Sequence, residues 1–213
     1  SSYKVQSYHL LIFNFQLSIF NLINRFYFVL IKYAAGFEHG VFAFHHDHVV
    51  FFGKLYQTYS FFTMYANVDG FTFEEPEMPL CERPELDRWI LSELNTLVKN
   101  VNNCLNDYEP TKAGRLIQEF VIDNVSNWFV RLSRKRFWGS DMSIDKLSAY
   151  QTLYTCLETV ARLMAPIAPF YADRLYKDLT SVTGRATAQS VHLAKYPECN
   201  DACVDSELEY RME

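Results

Sequence analysis

The stretch PTKAGRLIQEFVIDNVSNWFVRLSRKRFW, residues 110–138, decides the fold class of this chain of 213 residues. Pro110 suits the first turn of a helix, where its missing amide is not needed, and Gly139 follows the stretch directly. Between them, apolar residues recur at the three- and four-residue spacing of one helix face. They are Ala113, Leu116, Ile117, Phe120, Val121, Val125, Trp128 and Leu132. One long helix is therefore predicted.

Helices are also predicted on both sides of this stretch, because the same spacing recurs from Phe51 onward. Their ends carry recognisable signals: the NVDG turn at 67–70, Ser143 as an N-cap and Pro166 as a breaker. Long helices joined by short loops pack as antiparallel bundles. The predicted fold class is all-α, an antiparallel helical bundle at residues 51–182. A C-terminal extension at 183–213 follows, with a strand-like strip at 191–196.

The first fifty residues do not share this pattern and are left unassigned. Residues 10–31 have the length of a membrane span, but polar side chains interrupt the apolar run, so no span is predicted. Residues 13–19 alternate apolar and polar as a strand does. The excess of Phe, Asn, Ile, Leu and Tyr resembles translated AT-rich DNA, which suggests that residues 1–50 are non-native or disordered. Targeting or anchoring is the alternative.

The composition indicates a folded protein whose basic residues are concentrated in one region. Hydrophobic residues make up 49% of the chain and aromatic residues 16%, more than a disordered chain carries. A net charge of -5 excludes a protein coated in basic surface, but it does not exclude a local patch. Residues 111–140 contain six basic side chains and only two acidic ones, so a basic patch is predicted there.

No catalytic residue and no metal site are predicted. The chain has no phosphate-binding glycine motif, nucleophile elbow or HExxH zinc motif. Cys199 and Cys203 lie close together but lack a second ligand pair, and the cluster HHDH at 45–48 would need a loop and a further ligand. The odd number of cysteines suits free thiols in a reducing cytoplasm. We expect no cofactor bound by this chain itself.

The candidate binding residues are centred on SNWFVRLSRKRFW, residues 126–138. Arg131, Arg134 and Lys135 are spaced to share a helix face, and such cations can contact phosphates while neighbouring rings stack on bases. The predicted RNA-binding set is Arg131, Arg134, Lys135, Arg136, Trp128 and Trp138, with Lys112 and Arg115 as additions. On spacing alone, a solvated basic face near a helix C-terminus explains the pattern as well.

Several stretches resemble isoleucyl-tRNA synthetases of the eukaryote-like group. They are RPELDRWIL at 83–91, YEPTKA at 108–113, SNWFVRLSRKRFW at 126–138 and AYQTLYTCLETV at 149–160. LMAPIAPF at 163–170 is similar to a break shared more widely among class I synthetases for aliphatic amino acids. The resemblance extends from about residue 51 to residue 213.

The resemblance implies a bundle that follows a Rossmann catalytic domain and grips the anticodon stem and loop of the isoleucine tRNA. It implies a parent isoleucine-tRNA ligase that uses ATP and Mg²⁺, with its catalytic domain as a partner and no membrane. HIGH-type and KMSKS-type ATP signatures and an editing domain are missing from the sequence, so the chain alone is not expected to be catalytic. A valyl- or leucyl-tRNA synthetase bundle and a helical protein-interaction scaffold remain as alternatives.

Overall fold

The computed structural model describes the chain from Gly40 to Met212, apart from residues 140, 186 and 187, with side chains from Val50 onward. Residues 50–213 form a compact unit of their own. The strand expected at residues 13–19 lies outside the described residues. The first described helix begins at Gly40 rather than Phe51, so the backbone of residues 45–48 is helical and does not form the loop that a metal site there would need.

The described residues form helices joined by short turns, and no strand occurs among them. The α-helices are α1 Gly40–Asp69, α2 Glu85–Asn106, α3 Pro110–Glu119, α4 Arg131–Trp138, α5 Ile144–Met164, α6 Pro169–Thr183 and α7 Ser206–Met212. A π-helical segment, Phe120–Val130, joins α3 to α4 without a break. Short 3-10 turns lie at Leu80–Glu82, Val191–Leu193 and Asp201–Cys203. The predicted all-α fold class is confirmed.

Helix α2 lies at the centre of the unit formed by residues 50–213. It packs against α3, the π-helical segment, α5 and α7, while α5 also packs against α4 and α6. The facing sides bury one connected apolar core, in which Ile90, Leu153 and Leu157 are almost fully enclosed. Burying each side chain of this size contributes roughly 1.5–3 kcal/mol.

Two local predictions from the sequence have different outcomes. Ser143 is the N-cap of α5, where its hydroxyl accepts a hydrogen bond from the Lys146 amide at 3.1 Å, as predicted. The predicted strand-like strip at 191–196 is wrong, because Val191–Leu193 forms a 3-10 turn. Asp173 on α6 accepts hydrogen bonds from the Val191 amide and the Ser190 hydroxyl, which hold that turn against the bundle.

The continuous helical rod of residues 110–138 buries every fourth residue along its length. Each of these residues is at most 2% exposed: Ala113, Ile117, Val121, Val125, Phe129, Ser133 and Phe137. In a regular α-helix, four residues turn about 40° more than a full circle, so such a row would wind around the axis. The wider turns of a π-helix rotate in the opposite sense and offset this drift. The buried row therefore stays on one side of the rod.

This spacing corrects the predicted apolar face of the rod. A 3.6-residue period placed Trp128 and Leu132 on the buried side, but they are 44% and 53% exposed. Phe129, Ser133 and Phe137 occupy the core instead. The physical reason is the π-helical segment. Its i→i+5 hydrogen bonds change the direction in which side chains point, both within the segment, as at Trp128, and after it, as at Leu132.

Candidate nucleic-acid interface

The same four-residue spacing sets an outer stripe opposite the buried row of the rod. All of its members are exposed: Arg115, Glu119, Asp123, Asn127, Arg131 and Lys135. Arg134 and Trp138 lie along one flank of this stripe, and Trp128 and Leu132 lie along the other. The last two turns of the rod therefore present basic and aromatic side chains together.

Arg131, Arg134 and Lys135 are exposed and form no ion pair within the part of the chain that the structure describes. We call these three residues the cationic face. Free guanidinium and ammonium groups at the surface can contact phosphate oxygens without first breaking an internal salt bridge. The structure therefore brings together three of the predicted binding residues in a state suited to an anionic ligand.

Two tryptophans flank the cationic face. Trp138, at the end of α4, is 62% exposed. Trp128 packs against the buried ring of Trp89, with 6.1 Å between the ring centroids, and keeps part of its surface open. An indole ring that packs against the protein on one side and is exposed to solvent on the other can stack on a nucleotide base with little loss of conformational freedom.

Arg136 is engaged inside the protein, so its predicted phosphate contact is not supported. Its side chain is only 14% exposed, and its guanidinium forms a bidentate pair with Asp87 at 2.5 and 2.8 Å. It also pairs with Asp145 at 3.0 Å. Burial alone would lower the pKa of Arg136, but the hydrogen bonds and charges of Asp87 and Asp145 raise it overall. Arg136 is a structural cation within a basic stretch.

The end of α4 is held from a second side by Lys146. This lysine is 1% exposed, and its ammonium donates to the Gly139 carbonyl at 2.6 Å and pairs with Asp69 at 2.6 Å. The Asp69 carboxylate also accepts a hydrogen bond from Tyr150. Burial and the contact with Asp69 raise the pKa of Tyr150, so its hydroxyl stays protonated and donates.

Lys112 and Arg115 lie at the opposite end of the rod from the cationic face. Arg115 and Arg131 are separated by on the order of 20 Å along the axis. Lys112 is paired with Glu109 at 3.2 Å, and both basic residues line a shallow cleft with Tyr108. Exposed Glu119 and Asp123 lie between Arg115 and Arg131 on the outer stripe, so Lys112 and Arg115 do not form one continuous basic surface with the cationic face.

A separate cavity of about 350 Å³ lies between α2, α5 and residues 195–203. Its three basic side chains each have an acidic partner: Arg83 with Glu77, Arg162 with Glu158 and Lys195 with Glu198. Their charges are already balanced, so this cavity offers less attraction to an anion than the cationic face does. The spacing of residues in the sequence does not predict this cavity, because the residues that line it are far apart in the chain.

No group of three or more histidine, cysteine or acidic side chains in the described part of the chain is arranged to hold a metal ion. Cys199 and Cys203 are partly exposed free thiols. Among the helices whose residues the structure describes, none combines the length and the hydropathy of a membrane span.

Residues 87–213 match the family model for the anticodon-binding domain of tRNA ligase. The chain is also similar to proteins named isoleucine-tRNA ligase. Its identity is 71% over 163 residues with the protein of Bacteroides fragilis strain ATCC 25285, 62% over 162 residues with that of Cytophaga hutchinsonii, and 41% over 163 residues with that of Clostridium novyi. Each alignment includes 76% of this chain but only 14%, 15% and 16% of the respective relative. The chain therefore spans about one seventh of the length of the curated relatives it matches.

Proposed function

We propose, from the premise that this chain belongs to the anticodon-binding domain family of tRNA ligases, that its helical bundle binds the anticodon arm of a tRNA. The predicted resemblance to isoleucyl-tRNA synthetases is confirmed by relatives that carry the name isoleucine-tRNA ligase. We therefore propose the isoleucine tRNA as the ligand. Assignment to the eukaryote-like group stays a prediction.

The cationic face is the observation that carries this proposal. It places three positive charges, which have no ion-pair partner among the described residues, between two partly exposed tryptophans on the rod of residues 110–138. Phosphates of the RNA backbone would bind Arg131, Arg134 and Lys135, and unpaired bases would stack on Trp128 or Trp138. Because the net charge of the chain is -5, the attraction for RNA has to come from such a local arrangement.

The wider role follows from the relatives and is part of the same proposal. The chain would act within an isoleucine-tRNA ligase in the cytoplasm, whose separate catalytic domain joins isoleucine to tRNA with ATP and Mg²⁺. The bundle would contribute binding energy far from the reacting ester and so orient the acceptor end. Lys112 and Arg115 stand apart from the cationic face, and their part in tRNA binding stays a prediction.

Binding of the 213-residue chain to an isoleucine tRNA transcript over a series of salt concentrations tests the proposal. Removal of one cation that binds a phosphate should reduce the slope of log K against log salt by about 0.7–0.9. The double variant Arg134→Ala/Lys135→Ala should therefore bind more weakly and lower the slope by about 1.4–1.8. A valine tRNA transcript should bind more weakly than the isoleucine transcript.

The matched control is Arg174→Ala/Lys177→Ala on α6, which removes the same two charges. Both residues are already paired along their own helix, with Asp178 and Asp173. This control should leave the salt slope near that of the wild type. If the two double variants weaken binding equally, tRNA binding depends on the net charge of the chain and not on the cationic face. If the wild-type chain does not bind tRNA, the proposed function is wrong.

A further inference from the structure

We propose that Asp87 and Arg136 form a positioning pair that orients the cationic face for RNA, and that Arg136 does so without touching the ligand. The inference rests on the proposed function, since it concerns the same helix. It assigns a role to Arg136, which is the one arginine among residues 131–136 whose side chain is largely buried.

Arg136 has no N–H group left for a ligand. One terminal nitrogen donates to an Asp87 oxygen at 2.5 Å and to the Ser133 hydroxyl at 3.5 Å. The other donates to the second Asp87 oxygen at 2.8 Å and to the Asp145 carbonyl at 2.7 Å. The remaining N–H donates to the Asp145 carboxylate at 3.0 Å. These contacts use the full donor capacity of a guanidinium.

Asp87 is built into the core as the acceptor of this pair. It is fully buried in the first turn of α2, where the helix dipole favours a negative charge. In addition to Arg136, it accepts a hydrogen bond from the Ser148 hydroxyl on α5. The two planar groups meet in a fork-to-fork arrangement, which fixes orientation as well as distance. One carboxylate therefore joins α2, α4 and α5.

Helix α4 forms the last eight residues of the continuous rod, so the orientation of this end of the rod depends on its own contacts with α2 and α5. On the buried side, Ser133 and Phe137 anchor it, and at its end Lys146 grips the Gly139 carbonyl. The Arg136 contacts fix a side chain that points away from the cationic face, and so they resist twisting of the end of the rod. Because Arg134 and Lys135 share the same two turns, a rotation of α4 would move both relative to the bundle.

The variant Asp87→Asn separates the possible roles of Arg136 by the sign of its effect. If Arg136 contacted phosphate, loss of its internal acidic partner would free a cation, tighten tRNA binding and steepen the salt slope. If the pair only stabilised the fold, thermal stability would fall while affinity stayed constant. If the pair positions the cationic face, affinity falls even though the removed negative charge by itself would favour RNA.

The experiment measures binding of an isoleucine tRNA transcript to the full chain, at a temperature where circular dichroism shows each variant to be folded. We expect Asp87→Asn to weaken binding roughly three- to tenfold, which lies within the range for changes that act on a site through packed neighbours. Arg136→Lys should not restore wild-type affinity, because an ammonium group keeps the charge but cannot form the bidentate contact. Tighter or unchanged binding by folded Asp87→Asn would overturn the inference.

Glu158→Gln is the matched control, since it also converts the acidic partner of an arginine to an amide. Glu158 pairs with Arg162 at 2.7 Å on α5, in a part of the bundle away from α4. The Glu158→Gln variant should not weaken tRNA binding.

If Asp87→Asn does not fold, Ser148→Ala provides a second test. It removes one hydrogen bond from Asp87 without changing the charge and should weaken binding roughly twofold. Unchanged affinity of folded Ser148→Ala would then refute the positioning role, whereas a wild-type chain that does not bind tRNA would refute the proposed function.

Discussion

Replacement of Ile117 and of Leu132 by alanine should affect stability very differently, although both lie on one apolar face by a 3.6-residue period. Each change removes the same number of carbon atoms from the helical rod of residues 110–138. Ile117 is 1% exposed and Leu132 is 53% exposed. The pair therefore tests the four-residue spacing of the buried row and the π-helical segment that maintains it.

The expected magnitudes follow from burial. Ile117→Ala should lower the free energy of unfolding by about 3 kcal/mol, since it combines lost transfer energy with a cavity. Leu132 gains only part of the roughly 1.5–3 kcal/mol available to a fully buried leucine, so Leu132→Ala should cost about 1 kcal/mol or less. Alanine is a slightly better helix former than either residue, so helix propensity does not explain a loss.

Urea denaturation followed by far-ultraviolet circular dichroism measures both effects. With a denaturant dependence of about 2 kcal/mol/M, the midpoint should fall by about 1.5 M for Ile117→Ala and by about 0.5 M or less for Leu132→Ala. Both variants should keep the helical spectrum of the wild type before denaturation. A midpoint shift for Leu132→Ala as large as that for Ile117→Ala would show that the register assigned to the rod is wrong.

Three further predictions concern Lys146, Asp173 and the cysteine thiols. Lys146→Met should lower the free energy of unfolding by about 1.5–3 kcal/mol in the same urea experiment, because the Asp69 carboxylate and the Gly139 carbonyl would lose a charged hydrogen-bond donor. Hydrogen bonding by Lys177 helps to hold the pKa of Asp173 at about 2, so the stability from this carboxylate is complete above about pH 4 and is lost as the pH falls towards 2. Lys177→Met should raise the titration midpoint of Asp173 measured by NMR. Burial raises the pKa of the Cys156 thiol, so an aromatic disulfide reagent should label exposed Cys81 in the native protein and Cys156 only after unfolding.

The sequence predicts the parts of the fold that depend on local chemistry. The Ser143 cap and the helical spacing act over a few residues, and the structure confirms the cap and the all-α class. The register of residues 110–138 could not be predicted in the same way. Its buried positions depend on π-helical turns, which are rare and which the helical spacing of the sequence does not predict.

The candidate interface was predictable as a basic region but not residue by residue. Spacing placed Arg134, Lys135 and Arg136 in one cationic stretch, yet only the structure shows which of them is paired internally. The partner of Arg136 is Asp87, 49 positions earlier in the chain. A pairing over that distance leaves no mark in the local charge pattern. Whether a basic side chain is free at the surface can therefore be decided only when its contacts with distant parts of the chain are known.

Two of the three cations in the outer stripe of the rod, Arg131 and Lys135, lie together at one end, and Arg115 lies at the other. Glu119 and Asp123 lie in the same stripe as Arg131 and Lys135 but nearer to α3, and all four are exposed. A polyanion approaching along the stripe is repelled by the two carboxylates in its middle and meets two neighbouring cations over the last two turns. Because Trp128 and Trp138 flank those same turns, the attraction for phosphates and the surfaces for base stacking coincide there. In the proposed function, this arrangement would let an acidic protein hold RNA at a defined position, since the two carboxylates and the two neighbouring cations occupy separate segments of the stripe.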